Sequence, residues 1–173
     1  MSRFQGNRRH VVRFNLNGKP RAGEAEPRTL LTDLLRHQIG MTGTHVGCEH
    51  GVCGACTVEI DGNPARACLT LALQVEGCEV RTVESLAPSP DRLGILQAAF
   101  KRNHALQCGF CTAGILMSLH GFLRKHPLAD EGAIRNLLTG HLCRCTGYTP
   151  IVRAALEAAA EMRDALSREK SNA

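Results

Sequence analysis

The chain has 173 residues, room for one ordinary domain or for two small ones of about 80 residues each. Aromatic residues supply only 3% of it, with one Tyr and no Trp, so the core is short of large fillers and bound metal is expected to help hold the fold. The formal charge of +5 is scattered and lacks the interleaved aromatics of a base-stacking surface, which sets nucleic acid aside as a partner.

The basic start, Met1 to Arg9, lacks the apolar segment of a secretory signal, and no apolar run reaches the roughly eighteen residues of a membrane span. A soluble, cytoplasmic protein without a membrane span is expected. Val11 to Leu16 alternates as a strand does, and Asn17-Gly18 turns the chain into a weaker second strand ending before Pro27. Thr29 is placed to cap a helix whose apolar stripe is Leu30, Leu31, Leu34, Leu35 and Ile39, closed by Gly40. A loop rich in Gly and Cys runs from Met41 to Cys56. Short strands are expected at Val58 and Ile60, from Ala65 to Leu69 after the turn Asp61-Gly62, and from Glu79 to Val83. Strands on either side of one helix fit a β-grasp roll over residues 10–86.

Ser85 to Arg92 holds Pro88-Ser89-Pro90-Asp91 and reads as a linker. Helices are predicted beyond it over Leu93 to Asn103, Thr112 to Lys125, Asp130 to Leu138 and Thr149 to Arg168. The last has Thr149 as cap and Pro150 at the first helical position. These helices form a second, four-helix domain over residues 91–168, and the fold class is α+β.

Eight of the nine cysteines fall into two arrays. The first is Cys48-x4-Cys53-x2-Cys56 followed by Cys68, the spacing of the plant-type 2Fe-2S ferredoxin loop. Gly47, Gly51, Gly54 and Ala55 let the loop backbone approach the sulfurs closely. Zinc sites usually combine two Cys-x2-Cys units, and this loop has one. The second array is Cys108-x2-Cys111 and, after a long interval, Cys143-x-Cys145. Two antiparallel helices in the interval return the chain to its start, and both pairs precede helix N-termini, whose free N–H groups suit an anionic centre. Alone, this second array is also compatible with structural zinc; beside the first, it reads as a second iron–sulfur site. Two oxidised clusters on eight thiolates would bring the formal charge close to neutrality.

Other residues carry less. His50 makes half of a Rieske pattern, but Cys53-x2-Cys56 stands where Cys-x2-His is needed. His45, His104, His120, His126 and His141 have no paired ligand spacing and read as surface or helix-face residues. Cys78 reads as a small buried apolar residue near a strand. Thr57 and Thr112, not His, follow the two Cys-x2-Cys units, so covalent haem is excluded, and no phosphate loop or nucleophile motif occurs. No catalytic residue is assigned to this chain.

Three stretches resemble one family in matching order: GCEHGVCGACTVEIDG (Gly47 to Gly62), LQCGFCTAGIL (Leu106 to Leu116) and GHLCRCTGYTPIV (Gly140 to Val152). They are similar to the small iron–sulfur subunit of the molybdenum hydroxylases, the family of xanthine oxidase and bacterial carbon monoxide dehydrogenase. The resemblance implies a plant-type ferredoxin-like β-grasp domain followed by a four-helix-bundle 2Fe-2S domain. It implies Cys48, Cys53, Cys56 and Cys68 as ligands of a cluster distal to molybdenum, and Cys108, Cys111, Cys143 and Cys145 as ligands of a proximal one. By the same resemblance Gln107 and Cys145 contact molybdopterin. Electrons would pass between a large molybdopterin subunit and a medium FAD subunit, in a dimer of heterotrimers. Ala113 departs from the family, many members of which have Pro there. The alternatives are a free-standing two-cluster ferredoxin, against which Gln107 and the helical domain count, and a structural zinc module.

Overall fold

A computed structural model describes residue 6, residues 8–89 and residues 91–171, of which 166 and 169–171 are described as backbone only. Pro90 of the expected linker and most of the basic start lie outside the described residues.

Strand β1 (His10–Leu16) buries Val12, Phe14 and Leu16 on one face, as its alternation predicts. Asn17 and Gly18, at φ of 53° and 76°, make the two-residue turn into β2 (Lys19–Ala25). Asp61-Gly62 likewise joins β3 (Thr57–Ile60) to β4 (Asn63–Arg66). Strand β5 (Glu79–Arg81) lies parallel to β1 and antiparallel to β3, giving the order β2-β1-β5-β3-β4. Two strands are shorter than expected. After Arg66 the chain tightens into a 3-10 turn, Ala67–Leu69, which carries Cys68 into the core, and after Arg81 another, Val83–Leu86, turns toward the helices.

The helix against the sheet departs from the sequence reading. Leu30, not Thr29, occupies the N-cap, and the Thr29 hydroxyl instead accepts the Glu26 N–H at 3.1 Å. Helix α1 (Leu31–Asp33) widens into a π-helix, Leu34–Gln38, closed by the Ile39 N–H on the Leu34 carbonyl. Leu31, Leu34 and Leu35 are all buried under the sheet. Arg36 points the other way and donates to the carbonyls of Thr42 and Thr44 at 2.7 and 2.9 Å, fixing the approach to the first cysteine loop.

Four helices follow: α2 (Ile95–Arg102), α3 (Thr112–Lys125), α4 (Glu131–Leu138) and α5 (Thr149–Ser171). The Asp130 carboxylate caps α4 by accepting the Ala133 N–H at 2.8 Å. Helix α5 opens one residue earlier than a Thr149 cap would have it, because the Tyr148 carbonyl accepts the Val152 N–H. Ala154, Ala155, Ala158 and Ala159 are buried on the face α5 packs against its neighbours, and Phe100, Ile115, Leu119, Ile134 and Ile151 fill the space between. Each such large side chain contributes about 1.5–3 kcal/mol by leaving water. The sheet side has a core of its own, Val12, Phe14, Leu31, Leu34, Leu35, Val58 and Val80. Helix α3 lies against β3 and β4 and joins the two cores.

Candidate metal centres

Cys48, Cys53 and Cys56 of the first array sit on the loop between the π-helix and β3, and Cys68 on the 3-10 turn after β4. Cys53 offers its N–H to Cys48 Sγ at 3.4 Å, and Cys68 comes within hydrogen-bonding reach of Cys56. Cys56 and Cys68 are buried, Cys48 and Cys53 half-buried, so the group runs from the core to the surface. Backbone N–H groups of Cys53 and His50 hold the Cys48 thiol down at about 6, against burial, which raises it. At Cys68, burial and the neighbouring Cys56 thiol push the pKa up to about 11.

The second array joins the end of the α2–α3 connection to the segment before α5. Cys145 Sγ lies 3.6 Å from Cys108 Sγ, and Cys111 faces Cys143. Here too one end is inside: Cys111 is buried and pushed up to about 12 by burial, then by Cys143, whereas Cys108 and Cys145 are exposed. Cys143 is half-buried; burial raises its thiol, but the hydroxyl and N–H of Thr146, the Cys145 N–H and the Cys111 thiol together lower it. The Tyr148 hydroxyl accepts the Cys143 N–H at 2.8 Å and donates to the His141 carbonyl at 3.0 Å, bracing the bend.

The two arrays meet. The Leu142 N–H, next to Cys143, donates to the Cys53 carbonyl at 3.0 Å. Gly54 has φ of +75°, and a Cβ there would lie 2.4 Å from His141 Nδ1 and 2.6 Å from the Gly140 carbonyl, so the loop must carry glycine to reach its neighbour. His45 Nδ1 donates to the Phe110 carbonyl at 2.8 Å and its ring stacks on the Phe110 ring, a second tie between the loops.

The chemistry of the donors fits an inorganic cluster better than a lone ion. Among the described residues, no three His, Cys, Asp or Glu donors group so as to hold a single metal ion; the thiols stand in pairs. Three of the four buried side-chain polar atoms without a partner, in Thr44, Thr112 and His141, lie within four residues of an array cysteine, where a cluster's sulfides would offer acceptors.

The remaining predicted residues divide. Gln107 is exposed on the bend before Cys108, its amide without a partner among the described residues. Cys78 is half-buried at the edge of the sheet core rather than fully inside, because it precedes β5 at a turn. His50 is an exposed loop residue bonded to the Cys48 carbonyl. His141 is not a surface residue: only 3% exposed, it bonds Ser118 at 2.7 Å and is lowered to about 4 by burial and by Arg66. Sequence reading also passed over Arg66 and Tyr148, whose partners lie far along the chain or on backbone atoms.

Comparison with known proteins gives the same picture. A model of a 2Fe-2S iron–sulfur cluster binding domain matches residues 24–91, and a second [2Fe-2S] binding domain model matches residues 82–156. The chain is 52% identical over 148 residues to the caffeine dehydrogenase subunit gamma of Pseudomonas sp. (strain CBB1), covering 84% of this chain and 88% of the relative. It is 50% identical over 147 residues to the nicotine 6-hydroxylase small subunit of Paenarthrobacter nicotinovorans, covering 85% and 88%. Among solved structures, a chain of quinoline 2-oxidoreductase from Pseudomonas putida 86 superposes with a TM-score of 0.86 at 47% identity, over 90% of this chain and 97% of that one. Aldehyde oxidoreductase from Desulfovibrio gigas superposes at 0.85 and 37% identity over 90% of this chain and 17% of the longer polypeptide. Two four-cysteine arrays, two matching 2Fe-2S models and relatives alike over nearly their whole length agree: the chain belongs to the small iron–sulfur subunits of the molybdenum hydroxylases, electron-transfer components of oxidoreductase complexes.

Proposed function

We propose that Cys48, Cys53, Cys56 and Cys68 hold one 2Fe-2S cluster, that Cys108, Cys111, Cys143 and Cys145 hold the other, and that this chain relays electrons between a molybdopterin subunit and an FAD subunit. The carrying observation is the hydrogen bond from the Leu142 N–H to the Cys53 carbonyl, which couples an array residue directly to the neighbour of Cys143. A 2Fe-2S cluster supplies one-electron uptake and release with little change in shape. The chain's share is to bind, shield and tune. Buried Cys56, Cys68 and Cys111 keep water from the inner side of each site, and N–H groups like that of Cys53 favour thiolate at the outer side.

The domain reading goes with this: a ferredoxin-like β-grasp unit at residues 10–86 and a four-helix unit at 91–168, supported by the two separate cores. Exposed Cys145 and Gln107 favour the second array as the one that meets the molybdopterin, Gln107 through its open amide. Relatives named as gamma and small subunits support larger companions, here assigned as a dimer of heterotrimers, over a free-standing ferredoxin. Among the described residues no helix is long and apolar enough to cross a membrane, and nine free thiols suit the cytoplasm.

Iron and sulfide analysis with low-temperature EPR of the purified complex tests the reading. Two distinct reduced 2Fe-2S signals are expected, with loss of one and interrupted flavin reduction in Cys108→Ser. Both signals persisting in that variant would overturn the ligand assignment, and a colourless, EPR-silent zinc protein would overturn the redox role.

A further inference from the structure

Arg66 stands at the junction of the two arrays. Its Nη2 donates to the Gly140 carbonyl at 2.6 Å, three residues before Cys143, and its Nε reaches the Gly51 carbonyl at 3.4 Å, within the first cysteine loop. Its Nη1 donates to the Thr57 hydroxyl, which in turn donates to the Gly54 carbonyl at 2.6 Å. All three arms of one planar guanidinium are therefore used, on three peptides or hydroxyls from both sides of the joint. The side chain is half-buried, and among the described residues no carboxylate pairs with it.

A cation drawn partly out of water beside no carboxylate interacts favourably with any other negative charge placed near it. Two sites that gather thiolates flank it. The fork geometry also explains the residue type, since the point charge of Lys cannot reach three separate acceptors in one plane. We propose that Arg66 is a positioning residue that fixes the spacing of the two cluster loops and whose charge favours the reduced, more negative state of the first cluster. This rests on the two-cluster reading above. No bond is made or broken; the residue acts through geometry and charge.

The test uses Arg66→Lys, Arg66→Met and Thr57→Val in the intact complex. Iron and sulfide content and the number of EPR signals are checked first in the unaltered protein; failure there brings down the two-cluster reading itself and is seen before any variant is compared. The readouts for Arg66 are the magnetic splitting between the two reduced clusters and the reduction midpoint of each. Weaker splitting is expected in both Arg66 variants, and a smaller loss in Thr57→Val, which keeps the charge and removes one acceptor. In Arg66→Met alone the reduction equilibrium of the first cluster should shift about tenfold toward the oxidised form, about 59 mV for one electron. Unchanged splitting in fully loaded Arg66→Lys and Thr57→Val would overturn the proposal, even if Arg66→Met lost iron. So would equal midpoints in Arg66→Lys and a fully loaded Arg66→Met.

Discussion

Placing a methyl group at Gly114 should prise the helices from the first cysteine loop. A Cβ on Gly114, in the first turn of α3, would lie 2.1 Å from the Gly54 carbonyl oxygen and 3.0 Å from Ala55 Cα, backbone atoms that no rotamer can move aside. Forcing an extra methyl into a packed site costs about 1–3 kcal/mol, and a clash with backbone belongs at the upper end of that range. Against it stands the helical preference for Ala over Gly, at most about 1 kcal/mol. The net loss is about 2 kcal/mol, which for a chain of this size lowers the melting temperature by about 4–8 °C. Gly121 provides the internal control on the same helix: its Cβ would meet only Glu59 Oε2, at an ordinary 3.7 Å. Gly121→Ala should therefore raise the melting temperature by about 2–4 °C. Thermal unfolding of fully loaded protein, followed by circular dichroism and by visible absorbance of the clusters, reads both. Gly114→Ala melting at or above the unaltered protein, or the two variants melting together, would refute the reasoning.

Tyr148→Phe removes the acceptor of the Cys143 N–H and the donor to the His141 carbonyl, so it should cost about 2 kcal/mol and broaden the EPR signal of the second array; an unchanged signal and melting temperature would speak against the brace. Burial holds His120 below its ordinary value near 6.5, opposed by Glu59 and helped by Arg124 and Arg81. Stability it governs is intact above about pH 6.5 and erodes as pH falls toward the folded value, so His120→Gln should melt with a flatter dependence between about pH 7.5 and about pH 5.5 than the unaltered chain. Parallel curves would contradict this. Iron release into a chelator should accelerate as pH drops, since Cys111 and Cys68, pushed up to about 12 and about 11, take back protons readily once a ligand bond opens; a rate independent of pH would count against thiolate ligation at these two positions.

Much of the site was legible because cysteine spacing is a local property. Cys48 to Cys56 form one loop, and the helices predicted between Cys111 and Cys143 do return the chain to its start. Turn pairs with φ > 0, Asn17-Gly18 and Asp61-Gly62, placed the hairpins for the same reason. The π-helix at Leu34–Gln38 was hidden: its apolar stripe suits either helix type, and only packing under the sheet decides. Thr29 looked like a cap because caps are read from neighbours in sequence, whereas its hydroxyl was already engaged by the preceding turn. Arg66 and His141 gave no local sign, since the partners that tie them across the fold, Gly140 and Ser118, lie 74 and 23 residues away. Gly114 did carry one, a glycine inside a helix, which marks close backbone approach without saying to what.

Each array keeps its inner sulfurs inside and turns others outward, Cys108 and Cys145 most of all. Oxidants convert accessible cysteines stepwise to sulfenic and then irreversible acids, so under the proposed docking of the second array against a partner subunit, an undocked copy of this chain would be vulnerable at that face. The proposed docking would then serve as armour as well as wiring.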